Sequence, residues 1–445
     1  MNKWTWMILM AFLIQACGED SLPNPLDVKL EKTLRNASPI GDLNYYILPE
    51  SDDYAAIPNG KKNPLTKEKV ALGKMLFFET GLARDAKYAN GAGTYSCATC
   101  HVPSAAFMPG RQQGIADGGF GFGNNGEGRE KMNNYLPEEL DVQGARPISV
   151  LNVAYVTNTT WSGKFGAFHA NEGTEHLWGL DDPTTETNHL GLDGLEAQNI
   201  EGLIIHRMVI DDFVLDTLGY RAMYNEAFGD FPASERYSLL TSSYAISAYL
   251  RSLITNRAPF QEWLKGDENA ISEAEKRGAV LFYSKAGCYR CHQGPAMNAV
   301  SFHAIGVNDL CDLPGSLATG IHDIRNMGRG GFTLRDQDLF KFKVPGIYNM
   351  VDSPFYFHGS SKNSLREVVD YFNAGIPENP RVPKSQISPF FHPLNLNESE
   401  VEDLVEFLEK SLRDPDLERY APEQILSNNC FPNNDPLSQD ELGCN

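Results

Sequence analysis

Positive charge is scarce in this chain. Lys and Arg number 38 against 58 Asp and Glu in 445 residues, a formal charge of −20. That balance excludes nucleic acid as an ordinary partner, because such binding rests on clustered cations. Past the N-terminus no apolar run reaches the length of a membrane span, so no transmembrane helix is expected in the mature chain. Strong strand alternation is absent as well, which argues against a sheet-based fold. Charged residues at 22% and hydrophobic residues at 42% are ordinary for a globular protein. The length suits two or three domains with a large buried core.

Two short strings dominate what is present, Cys97-Ala-Thr-Cys100-His101 and Cys288-Tyr-Arg-Cys291-His292. Each is Cys-x-x-Cys-His, the c-type haem attachment pattern. Two thiols add to the haem vinyl groups and the adjacent His reaches the iron. A disulfide, a redox dithiol or half a zinc site would use the same cysteines. Neither string has a second Cys-x-x-Cys nearby and both carry the His, which favours haem. The expected cofactors are two covalently bound haem c groups, held by Cys97, Cys100, Cys288 and Cys291 with His101 and His292 on the irons. The acidic surface then suits a basic redox partner, although acidity also serves simple solubility.

The N-terminus reads as a targeting segment. Lys3 precedes an apolar stretch from Trp4 to Ile14, and Leu13-Ile14-Gln15-Ala16-Cys17-Gly18 resembles a bacterial lipobox. Residues 1–17 are expected to be a signal peptide with Cys17 lipidated, plain secretion being the alternative. The expected location is the periplasm or cell envelope, with membrane contact only through the anchor. Of the remaining thiols, Cys430 and Cys444 flank a Pro/Asn-rich tail and are the expected disulfide, with Cys311 able to compete.

Residues 18–60 carry Pro23, Pro25, Pro39 and Pro49 and read as irregular. Thr66 can cap a helix whose apolar face includes Val70, Leu72, Met75 and Leu76. The Gly/Asn-rich stretch 110–134 cannot be regular helix or strand and reads as a flexible surface loop or a lid over the first haem. Leu195 to Ile210 and Tyr237 to Ile254 have helical spacing. A domain boundary is expected around Pro259 to Asn269. Ser272-Glu-Ala-Glu275 is a capping box opening a second helix that, like the first, leads into a Cys-x-x-Cys-His loop. This is an internal duplication. A last helix is expected over Val401 to Leu412.

The order of these motifs resembles the bacterial di-haem cytochrome c peroxidase family, which includes the MauG-like enzymes. The resemblance covers roughly residues 60–415. It rests on Leu72-Gly-Lys-Met-Leu-Phe-Phe78, Ser96-Cys-Ala-Thr-Cys-His-Val-Pro103, Val150-Leu-Asn-Val-Ala-Tyr155, Gly287-Cys-Tyr-Arg-Cys-His292, Phe342-Lys-Val-Pro345 and Pro354-Phe-Tyr-Phe-His-Gly-Ser360. It implies a mainly α fold of two cytochrome c-like haem domains with long irregular loops. Residues 61–267 would hold the peroxidatic haem on His101, residues 268–420 the electron-transfer haem on His292, and residues 421–445 a Cys-containing tail. The implied activity is that of a cytochrome-c peroxidase, reducing hydrogen peroxide with electrons from a cytochrome c or other small donor protein. A MauG-like oxidase acting on a protein or small molecule and a non-enzymatic electron carrier are the alternatives. A homodimer is compatible with either.

By the same resemblance, Trp161 matches a Trp that lies between the haems, and Gln198 a distal-pocket Gln. Here the chain departs from the pattern. An insertion, Phe165 to Asp193, separates the two and contains His169, His176 and His189. The family places a proton-transferring Glu where this chain has Met208. Ile205-His206-Arg207 is adjacent: His206 can shuttle the proton or bind the iron, and Arg207 can stabilise negative charge on the departing oxygen. No His stands between His101 and His169, so the family's His gate over the first iron is not expected. The family's sixth ligand of the second haem aligns with Phe372, which cannot ligate. Tyr371 is the leading candidate, with Met297, Met327 and Met350 behind it. Arg146-Pro147 stands near where the family has an inter-haem calcium ligand, so calcium is left open.

Overall fold

The computed structural model describes residues 24–444. The expected signal peptide and Cys17 lie outside the described residues. No helix among the described residues is long and apolar enough to cross a membrane.

The chain is mainly helical, and its longer helices surround two apolar cores. In the first, α2 (Lys67–Phe78) is capped by Thr66, whose side chain accepts from Lys69 N at 3.3 Å. Its Leu72, Leu76, Phe77 and Phe78 are buried against α3 (Gly194–Ile205), α4 (Tyr220–Ala227) and α5 (Leu239–Arg251). The second core joins α6 (Pro259–Leu264), α7 (Glu273–Phe282) and α10 (Glu398–Glu406). The short α8 (Gly330–Thr333) and α9 (Leu365–Ala374) lie between α7 and α10 in the chain. Among the described residues, regular strands are confined to two antiparallel pairs, Gly119–Phe120 with Glu130–Lys131 and Phe302–His303 with Phe342–Lys343.

Within the segment expected to be irregular, the described residues 24–60 include a regular helix. Asn24 caps α1 (Pro25–Ala37), and Pro25 takes the first turn, where a missing N–H costs nothing. Leu30 and Leu34 of α1 enter the second core. Asp27 accepts from Trp263 Nε1 at 2.7 Å and from Lys276 Nζ at 2.8 Å, a buried pair that fixes α1 on α6 and α7. The expected boundary at Pro259 to Asn269 also falls inside the second core, through Phe260 and Trp263. At the other end, the tail packs on the first core. Cys430 and Cys444 form the expected disulfide, and α11 (Pro436–Leu442) carries Glu441, which accepts from the amides of Phe122 and Gly123. The two ends of the chain therefore each cover the unit remote from them in sequence.

The duplication is visible atom by atom. Gly73 of α2 lies so close to α5 that an added Cβ would sit 1.9 Å from the Ala245 carbonyl oxygen; Gly278 of α7 stands likewise 2.0 Å from that of Asp403 on α10. Only glycine permits either crossing. One turn later, Phe77 and Phe282 lie against the imidazoles of His101 and His292 at 6.3 and 6.4 Å, with interplanar angles of 46° and 47°. Asn152 and Asn349 both take a left-handed conformation, at φ 54° and 57°. Each ties the loop after its haem motif to the end of that unit's last helix: Asn152 N donates to Leu253 O (2.8 Å), and Asn349 N to Leu412 O (2.9 Å).

Candidate functional site

Both Cys-x-x-Cys-His loops are short helical turns whose four cysteines are free thiols. His101 Nδ1 is 2.9 Å from Phe107 O, and His292 Nδ1 is 3.1 Å from Met297 O and from Pro345 O. A carbonyl can only accept, so Nδ1 carries the proton and Nε2 is left with its lone pair, as a metal-binding imidazole requires. Burial pushes both imidazoles down to about 4, which keeps them neutral.

His101 opens on a cavity of about 900 Å³ that Cys97, Cys100, Trp161, Gln198, His206 and Met208 also line. Six residues expected at the first site, Cys97, Cys100, His101, Trp161, Gln198 and His206, are thus brought together from the loop after α2, from α3 with its C-terminal end, and from the segment between them. Arg207 is not among them. Its backbone is left-handed, at φ 55°, and its guanidinium is turned outward to Asp117 and to Glu139 O. A charge-stabilising role on peroxide is therefore corrected: adjacent residues at a helix end diverge, and only His206 turns inward. Met208 packs its sulfur 4.0 Å from Cys97 Sγ.

Two buried cations also line this cavity without a carboxylate partner among the described residues. Arg146 is 1% exposed, hydrogen-bonds only the Arg111 and Pro109 carbonyls and Ser353 Oγ, and leaves Nε unpaired. Lys343 Nζ meets only Val344 O at 3.3 Å. Burial pushes them down to about 9 and about 8. Unpaired buried cations call for an anion, and haem propionates are anions. The free thiols, the directed imidazole and these cations together fit haem.

Trp161 donates Nε1–H to Arg146 O at 2.6 Å and stands edge-on to His358 at 6.1 Å. Trp161 follows Asn152 at the interval at which His358 follows Asn349, so the two halves of the duplication meet through equivalent positions. His358 stacks on Phe342 at 3.6 Å and its Nε2 lies 2.9 Å from Asp309 Oδ1. This repeat of the Asn-to-aromatic interval is a sequence signal that motif reading passed over.

The second site differs. His292 lines a cavity of about 330 Å³ with Tyr45, Tyr46, Tyr283, Tyr289 and Arg290. Tyr371, the expected sixth ligand, lines neither cavity. Its hydroxyl donates to Ile305 O at 2.6 Å, and its ring packs among Phe357, Phe372 and Phe391. That hydroxyl is committed to the fold, and the expectation is corrected accordingly. Met297 is buried in the second core, on the side where its own carbonyl holds His292.

The Gly-rich stretch is not a flexible surface loop, and its Ala116 lines the His101 cavity. Ile115, Ala116, Asp117, Phe122 and Arg129 are buried. Arg129 donates Nε to Ile115 O (2.5 Å) and Nη2 to Ala116 O (2.8 Å), and pairs with Asp435 of the tail at 3.4 Å. The glycines allow the chain to wrap a buried guanidinium. In the insertion, His189 packs on Trp178, and none of His169, His176 and His189 joins a metal-ligating cluster among the described residues.

Two such loops on a mainly helical scaffold define a c-type di-haem protein. The family described as di-haem cytochrome c peroxidase matches residues 67–269. The chain is 30% identical over 363 residues to the methylamine utilization protein MauG of Methylorubrum extorquens, covering 81% of this chain and 82% of that protein. It is 28% identical over 374 residues to the cytochrome-c peroxidase IdrP1 of Denitromonas iodatirespirans, covering 79% and 84%. Among solved structures, a MauG-like protein associated with microbial copper homeostasis superposes with a TM-score of 0.59 at 23% identity, over 88% of this chain and 97% of that one. The chain belongs to the di-haem cytochrome c peroxidase and MauG family, a family of haem-containing oxidoreductases.

Proposed function

We propose that this protein is a di-haem peroxidase whose peroxide site is the His101 cavity. The observation that carries the reading is the convergence of His101, Gln198, His206 and Trp161 on one buried space large enough for haem and substrate. Each peroxide takes up two electrons and two protons and leaves as two waters. The haems supply the redox chemistry, attached through Cys97 and Cys100 and through Cys288 and Cys291. The chain's own residues do the rest. Gln198 orients peroxide by hydrogen bonding, and His206 takes a proton from one peroxide oxygen at Nε2 and returns it to the other as the O–O bond breaks. Trp161 offers an aromatic step between the two units. His292 would hold the electron-transfer haem, which would supply the entry point for electrons from a small basic donor protein drawn by the negative surface. We also propose export to the cell envelope, with Cys17 as lipid anchor.

A MauG-like oxidase is the second reading. Ile324 and Leu334 line the same cavity while 55% and 56% exposed, a mouth wider than peroxide alone requires. Absorption and EPR spectra of the resting protein test both readings against an electron carrier. A high-spin ferric component that changes on adding peroxide is the expected result. Two fully low-spin haems, inert to peroxide, would refute an enzyme of either kind. Consumption of a cytochrome donor then favours the peroxidase, and consumption of an organic reductant alone the oxidase.

A further inference from the structure

Met208 stands where this family has a carboxylate for proton transfer, yet a carboxylate reaches the same cavity from another element. Asp141 stands shortly after the Gly-rich stretch, and its Oδ2 lies 2.7 Å from His206 Nδ1. Both residues line the cavity that His101 faces. The Asp141 side chain is 7% exposed, and its described side-chain hydrogen bond is the one to His206. Its backbone is fixed on both sides: Asp141 N donates to Asp117 O at 3.0 Å, and Asp141 O accepts from Ala116 N at 2.8 Å.

His206 is held just as firmly. It ends α3, donating its amide to Gly202 O at 3.0 Å, and its carbonyl accepts the Tyr95 hydroxyl at 2.9 Å. The charged groups around it come from three elements. The Gly-rich stretch and the segment after it supply Asp117, Glu139 and Asp141; Arg207 takes the Asp117 Oδ2 and the Glu139 carbonyl. The helix end supplies Arg207, and the haem loop supplies His101 across the cavity. Burial lowers the imidazole's affinity for a proton, but Asp141 outweighs it and leaves the group above its ordinary value.

We infer that Asp141 is the positioning residue of the first haem site, binding His206 at Nδ1 so that Nε2 alone is presented to the cavity. A two-residue relay then replaces the single family carboxylate. The ionised Asp141 accepts the Nδ1–H bond throughout. Nε2 gains one proton from peroxide and gives the same proton back to the departing oxygen, so neither residue changes state over a turnover. The inference rests on the peroxidase reading for its catalytic consequence, but not for its geometry.

The test uses the holoenzyme and the variants Asp141→Ala, Asp141→Asn, His206→Ala and the double Ala variant. The first readout needs no turnover: a pH titration of the resting ferric spectrum, with the His206 transition identified by its loss in His206→Ala. In Asp141→Asn, which can still accept from Nδ1 but carries no charge, that transition is expected to move to lower pH. The second readout is kcat and KM for hydrogen peroxide across pH. Asp141→Ala should lower kcat by about 100-fold with little change in KM, and should add nothing to His206→Ala. Asn at 141 should retain more of the rate than Ala. An unmoved transition in Asp141→Asn, or losses that multiply in the double variant, would overturn the inference. So would a low-spin first haem that becomes high-spin in His206→Ala, since His206 would then be a ligand. If the wild type fails to reduce peroxide, the functional reading falls, and the spectral titration still decides the role of Asp141.

Discussion

Removing the Asp435 carboxylate should loosen the first haem site from a distance. Arg129 is buried inside the Gly-rich stretch, and its ionic partner is Asp435. Asp435 Oδ1 also accepts from Gly121 N at 2.9 Å and from Ser438 N at 3.1 Å, capping α11. Asp435→Ala leaves a buried guanidinium with only carbonyl contacts, a cost of about 3–5 kcal/mol. Losing the cap adds about 1 kcal/mol. Asp435→Asn can keep the cap and the Gly121 bond through Oδ1 and loses the charge pairing with the bonds that Oδ2 accepts from Arg129 and Ser438 Oγ, so the effect should be smaller. A protein of this size with bound cofactors will not unfold in one step, so a global midpoint is the wrong measure. Native-state hydrogen exchange over residues 115–143 reads the local opening energy directly. The expected result is faster exchange there and around His206, with the second core unchanged. Adding Arg129→Met to Asp435→Ala should recover part of the loss, because no unpaired charge then remains buried. If Asp435→Ala shifts local opening by less than about 1 kcal/mol, or if Arg129→Met makes it worse, the reasoning about the buried pair is wrong.

Further expectations follow from the same geometry. Gly73→Ala and Gly278→Ala each drive a methyl into a carbonyl of the facing helix, and each should cost at least about 1–3 kcal/mol, read as faster native-state hydrogen exchange across α2 and α5 for the first and across α7 and α10 for the second. Burial raises the Asp309 carboxyl, but its bonds to His358, Arg381 and Asn379 outweigh that and hold it below the usual range. Its stabilising contribution is therefore complete above the unfolded carboxylate value and lost as pH falls below it; acid unfolding of Asp309→Asn should lack that part of the transition. Trp161→Phe keeps an aromatic ring but loses the N–H bond to Arg146 O. Stopped-flow spectroscopy should show peroxide still reacting at the first site while re-reduction through the second slows, and an unaltered re-reduction rate would remove Trp161 from the path. Lys343→Met removes a positive charge beside the first haem site and should lower that haem's reduction potential, read by spectroelectrochemical titration; an unmoved potential would separate Lys343 from the haem.

The duplication was legible because each half repeats one helix and one loop motif at short range. Local signals sufficed for Thr66, the Ser272 capping box and the two haem strings, since caps and attachment loops depend on neighbours within a few residues. The N-terminal helix escaped notice because its four surrounding prolines resemble a linker, whereas its stability comes from Asp27 meeting Trp263 and Lys276. Tyr371 and Phe372 are adjacent on α9 and both pack against Phe357 and Phe391, a consequence of helix rotation that spacing leaves undetermined.

The sequence by itself determined that this chain carries two haem loops on a repeated helical unit, because covalent attachment needs its residues in one fixed local order. Only the tertiary structure decided what surrounds the first of them. Contacts between residues far apart in the chain obey no spacing rule, so nothing in Ile205-His206-Arg207 could show that one side chain faces the cavity and the next turns away, or that Asp141 waits at hydrogen-bonding distance.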